Sequence, residues 1–312
     1  MSRRLLTAGA LAVLAYGAIS AADPKPVKPE FNGAFFGKMP RAWVEILKVD
    51  ADRRVLTVRT KAGDEVEVPV RGDTELRVRD AWGDLADYYP GQSVMLFVYH
   101  DAAGKWAYPR AVQDEVQMMA AHKWWWTVDA LDAAAGTLAL SRTEKDKTFR
   151  EAFRVGPATK VWKGEKAADL AALAVGDVVL FQTRFDKGQD ARFAVELMDA
   201  KGLEAVRVAQ QATHRGRLAA AGLPAVVNDL DVLTGAVTVS VQWAATEPAR
   251  AIKAGTKVKL IRPQSEPAVA FMAPVTESRG DGVRHKLLLS ADPAAMVRLK
   301  IGDEVRVFPT VP

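Results

Sequence analysis

Leu173–Phe181 reads Leu-Ala-Val-Gly-Asp-Val-Val-Leu-Phe: an apolar residue, a tight turn at Gly176-Asp177, then an apolar strand. The same device stands at Tyr88–Phe97 (YYPGQSVMLF), Ile252–Ile261 (IKAGTKVKLI) and Leu299–Phe308 (LKIGDEVRVF). A device used repeatedly along one chain predicts tandem small β units. Gly176 permits the turn because it lacks a Cβ, and Val179 and Phe181 fall on one face of the strand that follows.

Around the first copy the pattern is strand, strand, strand, short helical turn, strand, strand. Val44-Ile46, Val55 to Thr60 and the alternating Val66, Val68 and Val70 supply the first three strands. Arg79 to Gly91, with Trp82, Leu85 and Tyr88-Tyr89, reads as a helical turn, and Val94 to Tyr99 and Trp106 to Val112 close the unit. The order then recurs. Asp50 matches Asp132 and Leu56 matches Leu138 at an offset of 82, and Val70, Thr74, Leu85 and Gly91 match Val155, Thr159, Leu170 and Gly176 at 85. This strand order is that of a five-stranded OB-type barrel, duplicated.

The Thr74-Glu75-Leu76 and Thr159-Lys160-Val161 triplets, each followed by a leucine, a Gly-Gln or Gly-Asp turn and a closing hairpin, resemble the small barrel domains of exported bacterial proteins of unknown function. The resemblance implies a fold and an envelope location and transfers no catalytic residue. The predicted class is mainly β, with tandem small OB-like or SH3-like barrels joined by a helix. Residues 1–22 form a signal peptide, 23–39 an extended leader that Phe31, Phe35 and Phe36 pin to a domain surface, 40–116 the first barrel and 117–200 the second. A linking helix fills 201–222, built of good helix formers and stopped by Gly222-Leu223-Pro224, and 223–312 form a third barrel-like domain in which two copies of the turn lie close together.

Composition narrows the function classes. Of 312 residues 49% are hydrophobic, enough for several cores, so disorder is not the default. Arg3-Arg4, the apolar run Leu5 to Ile19 and Ser20-Ala21-Ala22 make the export signal; an uncleaved signal would be the one route to membrane contact. The net charge of +5, which falls when Arg3 and Arg4 leave, is too mild for nucleic acid. With no cysteine, disulfides, thiolate metals and thiol catalysis are excluded.

One cluster stands out: Met118-Met119, His122 and Trp124-Trp125-Trp126. Thioethers and an imidazole beside an indole suit Cu(I) or Ag(I), and in composition the cluster resembles small exported barrels that bind copper. On a strand, Trp124 and Trp126 would share one face and Trp125 the other, which leaves an indole for stacking on sugars. Packing at a domain seam is the commoner use of both residue types. His100, His122, His214 and His285 lie on four separate segments without metal-ligand spacing, and nucleophile-elbow, phosphate-loop and dinucleotide motifs are absent. Asp84 with Asp87 and Asp229 with Asp231 read as turn caps rather than acid-base dyads. Arg53, Arg54, Arg59, Lys61, Arg71, Arg77 and Arg79 crowd the first unit and read as a solvated face, or as a partner for an acidic envelope polymer. The expectation is an exported non-enzymatic binding or scaffolding protein, periplasmic or extracellular, with an envelope protein or polysaccharide as partner. A soft-metal binder and a glycan-binding module are the alternatives.

Overall fold

The computed structural model describes residues 39–263, 269–280 and 285–310; the signal peptide and the Phe31, Phe35 and Phe36 contacts lie outside them. The first barrel holds β1 (Arg41–Asp50), β2 (Val55–Arg59), β3 (Glu65–Pro69), β4 (Glu75–Val78), β5 (Ala81–Trp82), a 3-10 turn (Leu85–Asp87), β6 (Ser93–His100) and β7 (Trp106–Asp114). The strands run β3-β2-β1-β6-β7-β4-β5, with β4 parallel to β7. The chain runs from β3 through Val70–Thr74 into β4, which pairs with β7, so the strand at one end of the order continues into one beside the last long strand and the unit is an OB-like barrel. After α1 (Glu115–His122) the second barrel repeats the order with β8 (Trp126–Asp132), β9 (Thr137–Glu144), β10 (Lys147–Arg154), β11 (Lys160–Lys163), β12 (Lys166–Ala168), a 3-10 turn (Leu170–Ala172), β13 (Val178–Asp186) and β14 (Ala191–Met198).

The duplication extends to single atoms. Thr74 Oγ1 donates to the Pro109 carbonyl at 2.8 Å and accepts from the Arg71 N–H at 3.1 Å. Thr159 Oγ1 donates to the Ala194 carbonyl at 2.8 Å and accepts from the Gly156 N–H at 3.1 Å. The threonine therefore ties the link between the third and fourth strands to the last one, where the barrel closes.

In every barrel the repeated glycine turn pinches one residue of another strand. Gly91 donates to the Ile46 carbonyl at 2.7 Å while the Gln92 carbonyl accepts the Ile46 N–H at 2.9 Å. Gly176 and Asp177 hold Val128 in the same way, both bonds at 2.8 Å. These glycines have φ of +84° and +92°, a region that other residues enter at about 1–2 kcal/mol. Each pinched residue borders a β-bulge, between Ile46 and Lys48 and between Val128 and Ala130, and each is fully buried. A bulge bends and twists its strand, which a small closed barrel requires.

Beyond α2 (Ala200–Ala221) the third barrel is a single closed ring of six strands rather than a third OB copy. It comprises β15 (Leu223–Asp231), β16 (Ala236–Val241), α3 (Thr246–Ala249), β17 (Lys257–Arg262), β18 (Val269–Gly280), β19 (His285–Ser290), α4 (Pro293–Met296) and β20 (Glu304–Pro309). The ring order is β15-β16-β19-β18-β17-β20, and its pairs are antiparallel. Two strand-strand-helix-strand halves interlock in it. Gly255 and Thr256 of the first half pinch Val275 of the second at 2.8 Å, and Gly302 and Asp303 of the second pinch Val227 of the first at 2.8 and 3.0 Å. The crossed pinches explain why two copies of the turn lie so close in sequence.

The three barrels meet around α2, whose Leu218 enters the core of the third barrel and whose Leu203 packs against that of the second, and polar contacts tie the units further. Arg79 of the first barrel and Trp162 of the second both bond Glu196, at 2.7 and 2.8 Å. Gln210 and Arg217 of α2 donate to Asp87 at 2.8 and 2.7 Å, and Arg217 also reaches Asp84 at 3.0 Å. His214 faces the Asp84 carboxylate through Nδ1 at 3.2 Å and the Ala244 carbonyl of the third barrel through Nε2 at 3.0 Å. Both nitrogens face acceptors, an arrangement that favours the doubly protonated ring. Burial lowers its pKa, but the bonds to Asp84 and Ala244 outweigh burial and raise it. Between the first two barrels, Asp114 caps α1 through the Gln117 N–H at 2.7 Å and accepts from Gln182 at 3.1 Å, and Glu115 accepts from the Thr183 N–H at 2.6 Å and from Arg192 at 2.9 Å. Burial pushes the Asp114 carboxyl up to about 7.

Replacing Gly176, Gly255 or Gly302 by alanine meets open space, so each variant should lose only the left-handed backbone cost, about 1–2 kcal/mol. Gly91→Ala should lose more, because its Cβ would lie 2.4 Å from the Phe185 carbonyl of the second barrel. Urea unfolding of the four variants should give that order, and an equal loss at Gly91 would contradict it. The pH dependence has a definite sign. His214 and Asp114 both have folded pKa values above their unfolded ones, so their contributions are complete below the unfolded values and are lost as pH rises through the folded ones, near about 7 for Asp114. The melting temperature should therefore fall as pH rises from about 4 to about 7 through Asp114, with His214 adding to the fall above pH 6.5, and a His214→Gln, Asp114→Asn double variant should flatten the slope.

Candidate functional site

The outer face of the first barrel carries a second apolar layer. Val94, Leu96 and Val98 of β6 face the barrel core, while Met95 and Phe97 face outward and are buried with Met39, Ala111 and Met118. What covers them is α1, whose two methionines diverge because successive helical residues are about 100° apart. Met118 enters this outer layer and Met119 enters the core of the second barrel.

A groove of about 600 Å³ opens where that layer meets the junction, lined by Arg41, Trp43, Lys61, Met95, Met118, His122 and Trp124 among others. Met118 and His122 are four residues apart on α1 and so share one helix face. Trp43 pairs across the sheet with Met95. The His122 ring stacks on Trp124, with centroids 4.5 Å apart and planes 18° from parallel. The Arg142 guanidinium lies 4.9 Å from the Trp124 ring and 4.6 Å from that of Phe149, so it joins the same aromatic cluster.

The tryptophan run differs from a strand reading. Lys123 adopts a left-handed conformation with φ of +57°, and the Trp124 N–H bonds back to the Met119 carbonyl at 2.8 Å. Trp124 and Trp125 thus belong to the helix exit, and β8 starts only at Trp126. Trp126 is buried edge-on to Phe181 at 5.5 Å in the second core, while Trp124 and Trp125 are half-buried. Of the six residues singled out from sequence, the groove gathers Met118, His122 and Trp124; Met119 and Trp126 pack in the second core, and Trp125 packs against it. Met95 and Trp43 complete the groove from strands far away in sequence, and an outward-facing methionine on a strand buried on both faces is the signal that points to the first of them.

The charged residues of the first unit are dispersed over other tasks. Arg79 pairs with Glu196, Arg59 with Glu45 and Glu65, Arg71 lies over Tyr108 and Arg77 over Trp82. Asp84 and Asp87 hold a turn and receive α2, with the Asp84 N–H donating to Asp87 at 2.9 Å. Among the described residues no group of three or more His, Asp or Glu side chains is placed to hold a metal, and no helix is long and apolar enough to cross a membrane.

No protein-family model and no curated protein matches the chain. Among solved structures it is similar to one titled "drosophila Unr CSD456", at 13% identity over 65% of this chain and 79% of that one, with a TM-score of 0.19. At that score nothing about function follows.

Proposed function

We propose that the protein is an exported, non-enzymatic binding component of the cell envelope, and that the groove beside α1 takes an acidic polysaccharide. The observation that carries this reading is the convergence of Trp43 from the first barrel and the His122-Trp124 stack from the junction on one groove edged by exposed Arg41 and Lys61. Flat rings offer apolar faces to the C–H faces of sugars, and exposed cations meet carboxylates at the rim. The shifted carboxylates Asp114 and Glu115 support a binding role, since they are consumed between barrels rather than turned toward the groove. The charged start, apolar run and small-residue site of residues 1–22 support export.

Calorimetric titration with a polyuronate oligosaccharide should give saturable binding. Trp124→Ala and Trp43→Ala should each weaken it about tenfold, the ~1.4 kcal/mol expected of a central aromatic contact. No heat, or wild-type affinity in both variants, would refute the assignment.

A second reading is favoured by Met95, which adds a second thioether to Met118 and His122 in the same groove. Two soft sulfurs and an imidazole are a donor set for Cu(I) or Ag(I), with Trp124 as a cation-facing ring. Under this reading Ag(I) titration should show one site per chain that disappears in a Met118→Ala, His122→Ala double variant and weakens in Met95→Leu. Silver uptake unchanged in the double variant would eliminate it.

A further inference from the structure

A separate cleft of about 180 Å³ lies where the first barrel, α2 and the third barrel meet. Its seam is tight: a Cβ on Gly72 of the first barrel would stand 2.5 Å from Gln242 Nε2 and 2.7 Å from Glu304 Oε1 of the third. Two arginines face it from opposite barrels. Arg54, at the end of the β1–β2 turn, donates Nε to the Val70 carbonyl and Nη2 to the Arg71 carbonyl, both at 3.0 Å. Arg306, on β20, donates Nη1 to the Gly222 carbonyl at 3.4 Å.

Backbone carbonyls aim both guanidiniums without neutralising them, and neither forms an ion pair with a described carboxylate. A guanidinium has five N–H donors, so most of the donors on each are left over. Burial, and then the charge of Arg54, lower the proton affinity of Arg306, and the charges of Glu304 and Asp84 offset this only in part, so the two guanidiniums repel across the cleft. Of the two carboxylates on the cleft wall, Asp84 already accepts from His214 and Arg217. Glu304 is exposed and packs beside Gly72 and Gln242. A pair of forks at a domain junction, not ion-paired to either wall carboxylate, matches an oxyanion with several equivalent oxygens. The cleft is small for a drug-sized ligand, whose pockets run to about 300 Å³ or more.

We propose that this cleft binds a small phosphate-type oxyanion, free or as the terminal group of a monoester, held between Arg54 of the first barrel and Arg306 of the third. Binding replaces guanidinium repulsion with a bridge, so the anion locks the two barrels together and stabilises the assembled chain by mass action. Glu304 at the rim disfavours a second, larger anionic group and keeps the site to one oxyanion.

The test is calorimetric and thermal titration of the full chain with inorganic phosphate and with glycerol phosphate, against chloride at matched ionic strength. Both phosphates should bind one per chain and raise the melting temperature where chloride does not; tighter binding of the ester would assign the source as a monoester, and tighter binding of the inorganic ion as free phosphate. Arg54→Gln and Arg306→Gln should each weaken binding at least tenfold, Arg54→Lys should fall between them and the wild type, and Lys187→Gln, on an exposed turn of the second barrel, should change nothing. If Arg54→Gln fails to fold, the loss in Arg54→Lys carries the same test. No saturable binding, or wild-type affinity in both arginine variants, overturns the proposal.

Discussion

Two backbone hydrogen bonds to one buried residue organise each barrel of this protein. A glycine N–H and the next carbonyl grip Ile46, Val128, Val227 and Val275, and each gripped residue borders the bulge that lets its strand curve. A small barrel is a sheet that must bend sharply while leaving no buried backbone group unpaired. The pinch meets both demands, since the buried residue beside each bulge has its N–H and C=O taken by the turn. Glycine is required because the turn lies at positive φ, with values from +84° to +92° in the four copies.

The same device links barrels. The Gly91 carbonyl, on the far side of its pinch, accepts the Phe185 N–H of the second barrel at 2.7 Å, and Gln92 forms a bridge with Arg184. From this anchor the interface is polar and buried: Asp114 and Glu115 meet Gln182, Thr183 and Arg192, and Glu196 gathers Arg79 and Trp162. Buried polar groups cost free energy unless every partner is in place, so such an interface tolerates few alternative dockings. That requirement suits a molecule whose groove and cleft are both assembled from more than one unit. A loose hinge would take Trp124 away from Trp43, and Arg54 away from Arg306.

Much of the fold is legible in the chain because its determinants are local and repeated. The glycine turn, the Thr74 and Thr159 ties and the alternating valines of β3 each act within one unit, and duplication exposes them. The third barrel is less legible, since Gly255 reaches Val275 and Gly302 reaches Val227 across halves that sequence order keeps apart. The groove is legible in part. Met118 and His122 are neighbours through helical spacing, but Met95 and Trp43 join them only through the β1–β6 pairing, and the left-handed Lys123 that turns Trp124 out of the strand leaves no pattern in the residues around it. Arg54 and Arg306 lie at opposite ends of the chain, and only the docking of the first barrel on the third makes them neighbours.

Amide hydrogen exchange on the native chain, followed residue by residue by NMR, tests the pinch most directly. The Ile46, Val128, Val227 and Val275 amides each donate into a glycine turn rather than into the regular ladder, and they should rank among the slowest-exchanging amides of their barrels. Exchange of these four at the rate of exposed turn amides, with the flanking ladder still protected, would contradict the claim that the pinch holds each barrel closed.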